Sequence, residues 1–241
     1  MVFFLKKEIN VKLQKVLMGF ASGVMFAASI WSLLQPAINS YGKDDIRMWL
    51  VPAVGFMLGI AFSLLLDYLI PHIHLKSGED GIKNTKISKT SKMLFAVTLH
   101  NIPEGLACGV VIAVAIAGAV DGVFNSQAMI ILAIGIAIQN FPEGAIVSMP
   151  LKEQGHSKGR AFFYGFISGA VEPVASLFAI LITSFVSAIL PYTLAFAAAV
   201  MIFVVVEELI PEISAGEHSN LATVGLAVGF VLMMILDVAL G

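Results

Sequence analysis

His100-Asn101-Ile102-Pro103-Glu104-Gly105 is followed thirty-nine residues later by Gln139-Asn140-Phe141-Pro142-Glu143-Gly144, with Asn, Pro, Glu and Gly recurring in register. Each hexapeptide sits in the middle of a long apolar run, from Met93 to Ala119 and from Ala128 to Pro150. Runs of that length can cross a hydrocarbon core about 30 Å thick, and there only a helix satisfies its own backbone hydrogen bonds. Consecutive spans point in opposite directions. A motif repeated mid-span in both is therefore related by a pseudo-two-fold axis in the membrane plane, and the two copies are expected to converge near the midplane.

Five more stretches of the same kind surround this pair: Leu13 to Ile38, Trp49 to Ile70, Ala161 to Leu190, Tyr192 to Leu209 and Leu221 to Leu240. The expected fold is all-α, a polytopic bundle of seven transmembrane helices with an inverted repeat around the motif helices. It forms one transmembrane domain over residues 1–241, with residues 74–92 as its sizeable polar loop. Composition agrees, since 59% of residues are hydrophobic and 12% charged, against about 25% charged in soluble domains. A net charge of -2 with no clustered basic face excludes a nucleic-acid partner. One cysteine, Cys108, excludes an internal disulfide and a thiolate-rich metal cage.

The basic residues give an orientation. Lys6, Lys7, Lys12 and Lys15 precede the first span, Lys76, Lys83, Lys86, Lys89 and Lys92 follow the second, and Lys152, Lys158 and Arg160 follow the fourth; only Lys43 and Arg47 fall on the opposite side. By the positive-inside rule the start of the first span and the 74–92 loop face the cytoplasm, and Gly241 faces outward. The expected location is the cell membrane.

Within each motif the polar residues share a helical face, because residues three and four apart are neighbours. His100 and Glu104 are four apart, as are Gln139 and Glu143; Asn101 and Asn140 each lie three before their Glu. Pro103 and Pro142 leave the carbonyls of Leu99 and Ile138 without their usual donors, and those oxygens are offered to a cation. A carboxylate at mid-membrane costs about 2.5 to 3.5 kcal/mol on insertion scales, so Glu104 and Glu143 need compensation, which a bound cation supplies. The competing account is a pair of protonated glutamates gluing helices through the asparagines. A further acid, Glu172, precedes Pro173 in the fifth span and could bridge two metals with Glu104 and Glu143, whereas nearby Gly165 and Gly169 read more simply as helix packing.

Less specific polar positions are Glu207 and Glu208, which either line a pathway or reach water, and Asp67 with His72 and His74 at the end of the second span. Asp237 reads as an entrance acid or an interfacial residue. One imidazole with carboxylate and amide oxygens suits a borderline divalent ion held weakly enough to leave again.

These residues resemble the ZIP zinc-iron permease family, in its GufA-like branch. The resemblance rests on the paired His100–Gly105 and Gln139–Gly144 motifs, with Gly169-Ala170-Val171-Glu172-Pro173 and the Gly19 to Ser29 segment in support. It implies a binuclear metal centre: His100, Glu104, Gln139 and Glu143 in one site, Asn101, Glu104, Asn140, Glu143 and Glu172 in the other, both shared glutamates bridging. It implies transport of zinc, with iron, manganese or cadmium as further substrates, toward the cytosol by alternating access with an elevator-like motion. Zinc or a similar divalent ion is then substrate, and no catalytic cofactor is expected. The expected partners are metal ions and lipid, with homodimerisation left open. The family has eight spans, so the chain is expected to lack the first of them, with Val2 to Lys7 resembling that helix's cytoplasmic tail.

Two other functions compete. An intramembrane metal-dependent hydrolase would use His100 and Glu104 as ligands, although the His-Glu-x-x-His helix is absent. A metal-free proton-coupled carrier would titrate the glutamates instead.

Overall fold

The computed structural model describes residues 11–69, 98, 101–102, 104–113, 130–131, 133–138, 140, 144, 148, 151–152, 155–184, 189–214 and 220–240. Every regular element among them is helical. In chain order these are α1 (Val11–Asn39), α2 (Arg47–Leu69), α3 (Glu104–Ala113), α4 (Lys158–Gly169), α5 (Val171–Ser184), α6 (Leu190–Leu209) and α7 (Leu221–Leu240). A single turn, Ile210–Ser214, follows α6.

Among the described residues, five stretches are long and apolar enough to span a bilayer: Val11–Asn39, Arg47–Leu65, Lys158–Ile182, Leu190–Leu209 and Leu221–Ala239. Even the 19-residue stretches rise about 28 Å at 1.5 Å per residue. They coincide with the first, second, fifth, sixth and seventh runs read from the sequence. The third and fourth runs are described only in part, α3 being the apolar segment of the third. Residues 1–10 and the 74–92 loop lie outside the described residues.

Outward faces carry large apolar side chains, among them Met57, Leu64, Val174, Phe178, Val224 and Val231. In water such surfaces would drive aggregation, and in a bilayer they meet chains as apolar as themselves. Since lipid gives helices little hydrophobic reason to associate, close backbone approach has to hold the bundle together. Among the described elements, α1 and α7 form the most extensive helix pair, followed by α2 and α6. Gly23 of α1 lies against the Leu226 carbonyl, and Gly229 of α7 against that of Phe20, so a β-carbon at either position would strike backbone. Met25, Leu33, Leu194, Met201 and Met233 fill the core between these helices.

Among the described residues, two helices contain a π-helical segment, Ser29–Leu34 in α1 and Val205–Leu209 in α6. Such widened turns re-aim side chains and recur at functional positions. In α1 the widened segment carries Ser32, whose hydroxyl donates to Asp237 Oδ1 of α7 at 2.6 Å. Asp237 is thus tied to a neighbouring helix instead of lying free at the interface. In α6 the segment carries Glu207, exposed, and Glu208, half-buried. Lys15, read from the sequence as flanking the first span, is buried within α1.

The fifth run is two helices, not one. The Ser157 hydroxyl accepts from the Arg160 N–H and caps the start of α4. At the far end the Ala170 N–H bonds to the Phe166 and Ile167 carbonyls and closes α4. Pro173 cannot donate to the Gly169 carbonyl, so the helix restarts at Val171 with Pro173 in its first turn, where a missing N–H is tolerated. The restart places Glu172 in the first turn of α5, where the helix dipole favours a carboxylate by about 0.3 to 1 kcal/mol.

Candidate metal centre

The break between α4 and α5 opens onto a cavity of about 340 Å³ lined by Asn101, Asn140, Gly144, Gly165, Phe166, Ser168, Gly169, Ala170, Glu172 and Pro173. Residues from both sequence motifs and from the fifth run therefore meet in one concavity. Gly165 and Gly169 belong to its wall. Among the described residues, a β-carbon on Gly169 would meet only Glu172 Oε1, at 4.0 Å.

Tight glycine contacts do occur on the other partner of α5. Gly105 and Gly109 of α3 lie directly on the backbone of Glu172 and Ser176, and the Ser176 hydroxyl donates to the Gly105 carbonyl at 2.7 Å. α3 is thereby held against α5 at the level of Glu172. Glu104, next to Gly105, is fully buried.

Two amide hydrogen bonds complete the cage. Asn101 Nδ2 donates to the Ser168 carbonyl at 3.0 Å, and Asn140 Nδ2 donates to Glu172 Oε2 at 2.6 Å. Carbonyl and carboxylate oxygens only accept, so chemistry fixes which end of each amide faces its partner. The other end of each, Asn101 Oδ1 and Asn140 Oδ1, is buried with no hydrogen bond among the described residues. A buried acceptor left without a donor costs about 1 to 3 kcal/mol. A cation repays that deficit where another acceptor would not, and amide oxygen is an accepted ligand for divalent ions.

Of the seven metal ligands read from the sequence, Asn101, Glu104, Asn140 and Glu172 are described. Asn101, Asn140 and Glu172 share the cavity, and Glu104 lies buried one helical turn from Asn101. His100, Gln139 and Glu143 lie outside the described residues, and among those described no three His, Cys, Asp or Glu side chains cluster as a metal site. The sequence reading assigned nothing to Ser168, which is 2% exposed and lines the cavity. Its position four residues before Glu172 in the same apolar stretch of sequence was the available signal.

The family model described as ZIP Zinc transporter matches residues 91–237. The zinc transporter GufA of Myxococcus xanthus is 38% identical over 97% of this chain and 90% of its own length. The zinc transporter ZIPB of Bordetella bronchiseptica is 37% identical over 98% of this chain and 74% of its own. The human zinc transporter ZIP11 is 35% identical over 93% of this chain and 87% of its own.

Proposed function

The chain belongs to the ZIP zinc transporter family, and from that premise we propose that it carries zinc, and related divalent ions such as iron, manganese or cadmium, across the cell membrane toward the cytosol. The carrier works by alternating access around a binuclear site formed by His100, Asn101, Glu104, Gln139, Asn140, Glu143 and Glu172, and it is a transporter, not an enzyme. The observation that carries the reading is the pair of buried amide oxygens, Asn101 Oδ1 and Asn140 Oδ1, at one cavity with the Glu172 carboxylate. The named relatives are zinc transporters, which supports the choice of ion.

Each group has a distinct task. Carboxylates neutralise an ion that would otherwise be prohibitively costly at mid-membrane. Amide oxygens replace its water without adding charge, which keeps binding weak enough for release. The Asn140 bond to Glu172 holds that carboxylate in place in the first turn of α5. In this reading the chain is one domain with a cytoplasmic 74–92 loop and an outward C-terminus, as the lysine distribution requires.

The test is zinc uptake into proteoliposomes with iron, manganese and cadmium as competitors. Zinc accumulates with the wild type, and accumulation is lost in Glu104→Ala and His100→Ala at equal protein level. Full uptake by both variants would overturn the assignment. Metal retained by purified protein also separates this carrier from one that moves protons alone.

A further inference from the structure

We propose that the Ser168 hydroxyl is a further oxygen donor to the translocated cation and sets how hard an ion the site accepts. The inference rests on reading the cavity as the cation site, and it adds a residue that neither the motifs nor the repeat pointed to.

Serines inside helices normally return their hydroxyl to the carbonyl four residues back. Ser22 donates to Met18, Ser29 to Met25 and Ser40 to Pro36, each at 2.8 Å, and Ser148 donates to Gly144 at 2.6 Å. Ser168 departs from this pattern, as does Ser63 of α2, but of the two only Ser168 lines the cavity. Its Oγ is buried and makes no hydrogen bond among the described residues, although the Tyr164 carbonyl stands at the usual position four residues back. Its own backbone carbonyl meanwhile accepts from Asn101 Nδ2, which fixes residue 168 against the asparagine whose Oδ1 is likewise without a hydrogen bond. Three buried oxygens with lone pairs to offer, Asn101 Oδ1, Asn140 Oδ1 and Ser168 Oγ, thus belong to residues lining one cavity.

Asn101 and Ser168 are pinned by the same bond, so the amide and the hydroxyl move together as a two-oxygen unit on one side of the ion. Both donors are neutral and hard. A hydroxyl raises the oxygen count, which favours ions that take six oxygen ligands over those content with four mixed ligands. Manganese competes with zinc at this site partly because Ser168 is there.

The experiment uses the full chain, purified and titrated with cadmium chloride, alongside uptake competition. Ser168→Cys places a soft sulfur where the hydroxyl stood, and the wild type, whose single cysteine is Cys108, supplies the baseline. The expected result is a new ultraviolet thiolate-to-cadmium charge-transfer band and a shift of about tenfold or more in uptake from zinc toward cadmium, thiolate being the softer ligand. Ser168→Ala should weaken competition by manganese several-fold more than it weakens zinc uptake, and Ser168→Thr, which keeps the hydroxyl, should behave as wild type. A thiol variant with no band above baseline, or an alanine variant with unchanged ion preference, would overturn the proposal even if wild-type zinc uptake is robust. Absence of wild-type uptake would instead count against the transport reading itself, while the band would still report contact between residue 168 and the ion.

Discussion

Gly105 and Gly144 hold the same place in the two motifs, but the packing around them predicts opposite responses to an added methyl group. A β-carbon at Gly105 would land on the Glu172 carbonyl oxygen and lie 2.8 Å from both Glu172 Cα and Ala175 Cβ. Ordinary contact begins at 3.4 Å, so α3 and α5 would have to separate by about 0.6 Å or more. Backbone cannot rotate out of the way as a side chain can. Overpacking of this kind costs about 1 to 3 kcal/mol, and the separation pulls Glu172 away from Glu104's helix. A β-carbon at Gly144 meets nothing within 4 Å among the described residues. Its cost should fall within about 0.5 kcal/mol. Thermal unfolding in detergent, followed by tryptophan fluorescence, measures the first difference, and zinc uptake in proteoliposomes measures the second. Gly105→Ala should unfold several degrees earlier and lose most of its uptake, while Gly144→Ala should unfold with the wild type. Equal unfolding temperatures for the two variants would refute the argument that α3 rests on the backbone of α5 at Glu172.

Two further outcomes follow from contacts elsewhere in the bundle. Ser32→Ala removes the hydroxyl that donates to Asp237 Oδ1, and since Oδ2 already makes no hydrogen bond among the described residues, the change should destabilise the α1–α7 pair by about 1 to 3 kcal/mol; replacing Asp237 with leucine in that background should restore part of the loss in the same unfolding assay. Asp45, in the turn before α2, accepts from the Arg47 guanidinium, and that hydrogen bond holds its carboxyl below the ordinary value of 3.8. A lowered carboxyl contributes above its unfolded value and is lost only as pH falls through its folded value. The clasp therefore stays intact from about pH 5 to 8, so Asp45→Asn should leave the pH profile of zinc uptake across that range unchanged.

The positions of five spans, and the polar residues that share a helical face within each motif, were legible in the sequence because both are local properties. Hydropathy over about 20 residues requires no knowledge of neighbours, and a glutamate with an asparagine three residues before it shares a helical face wherever that helix packs. Which face meets protein and which meets lipid was not legible, because lipid is as apolar as leucine and erases the periodicity that marks a buried face in a soluble protein. Hence Gly105 and Gly144 looked equivalent, and Ser168 looked like nothing at all. Only the tertiary structure, by setting α3 against α5 and breaking the fifth run at Ala170, decided that one motif glycine is a backbone contact, that Asn140 holds Glu172, and that the Ser168 hydroxyl is buried with no hydrogen bond among the described residues. Those are relations between helices far apart in the chain, and no local pattern encodes them.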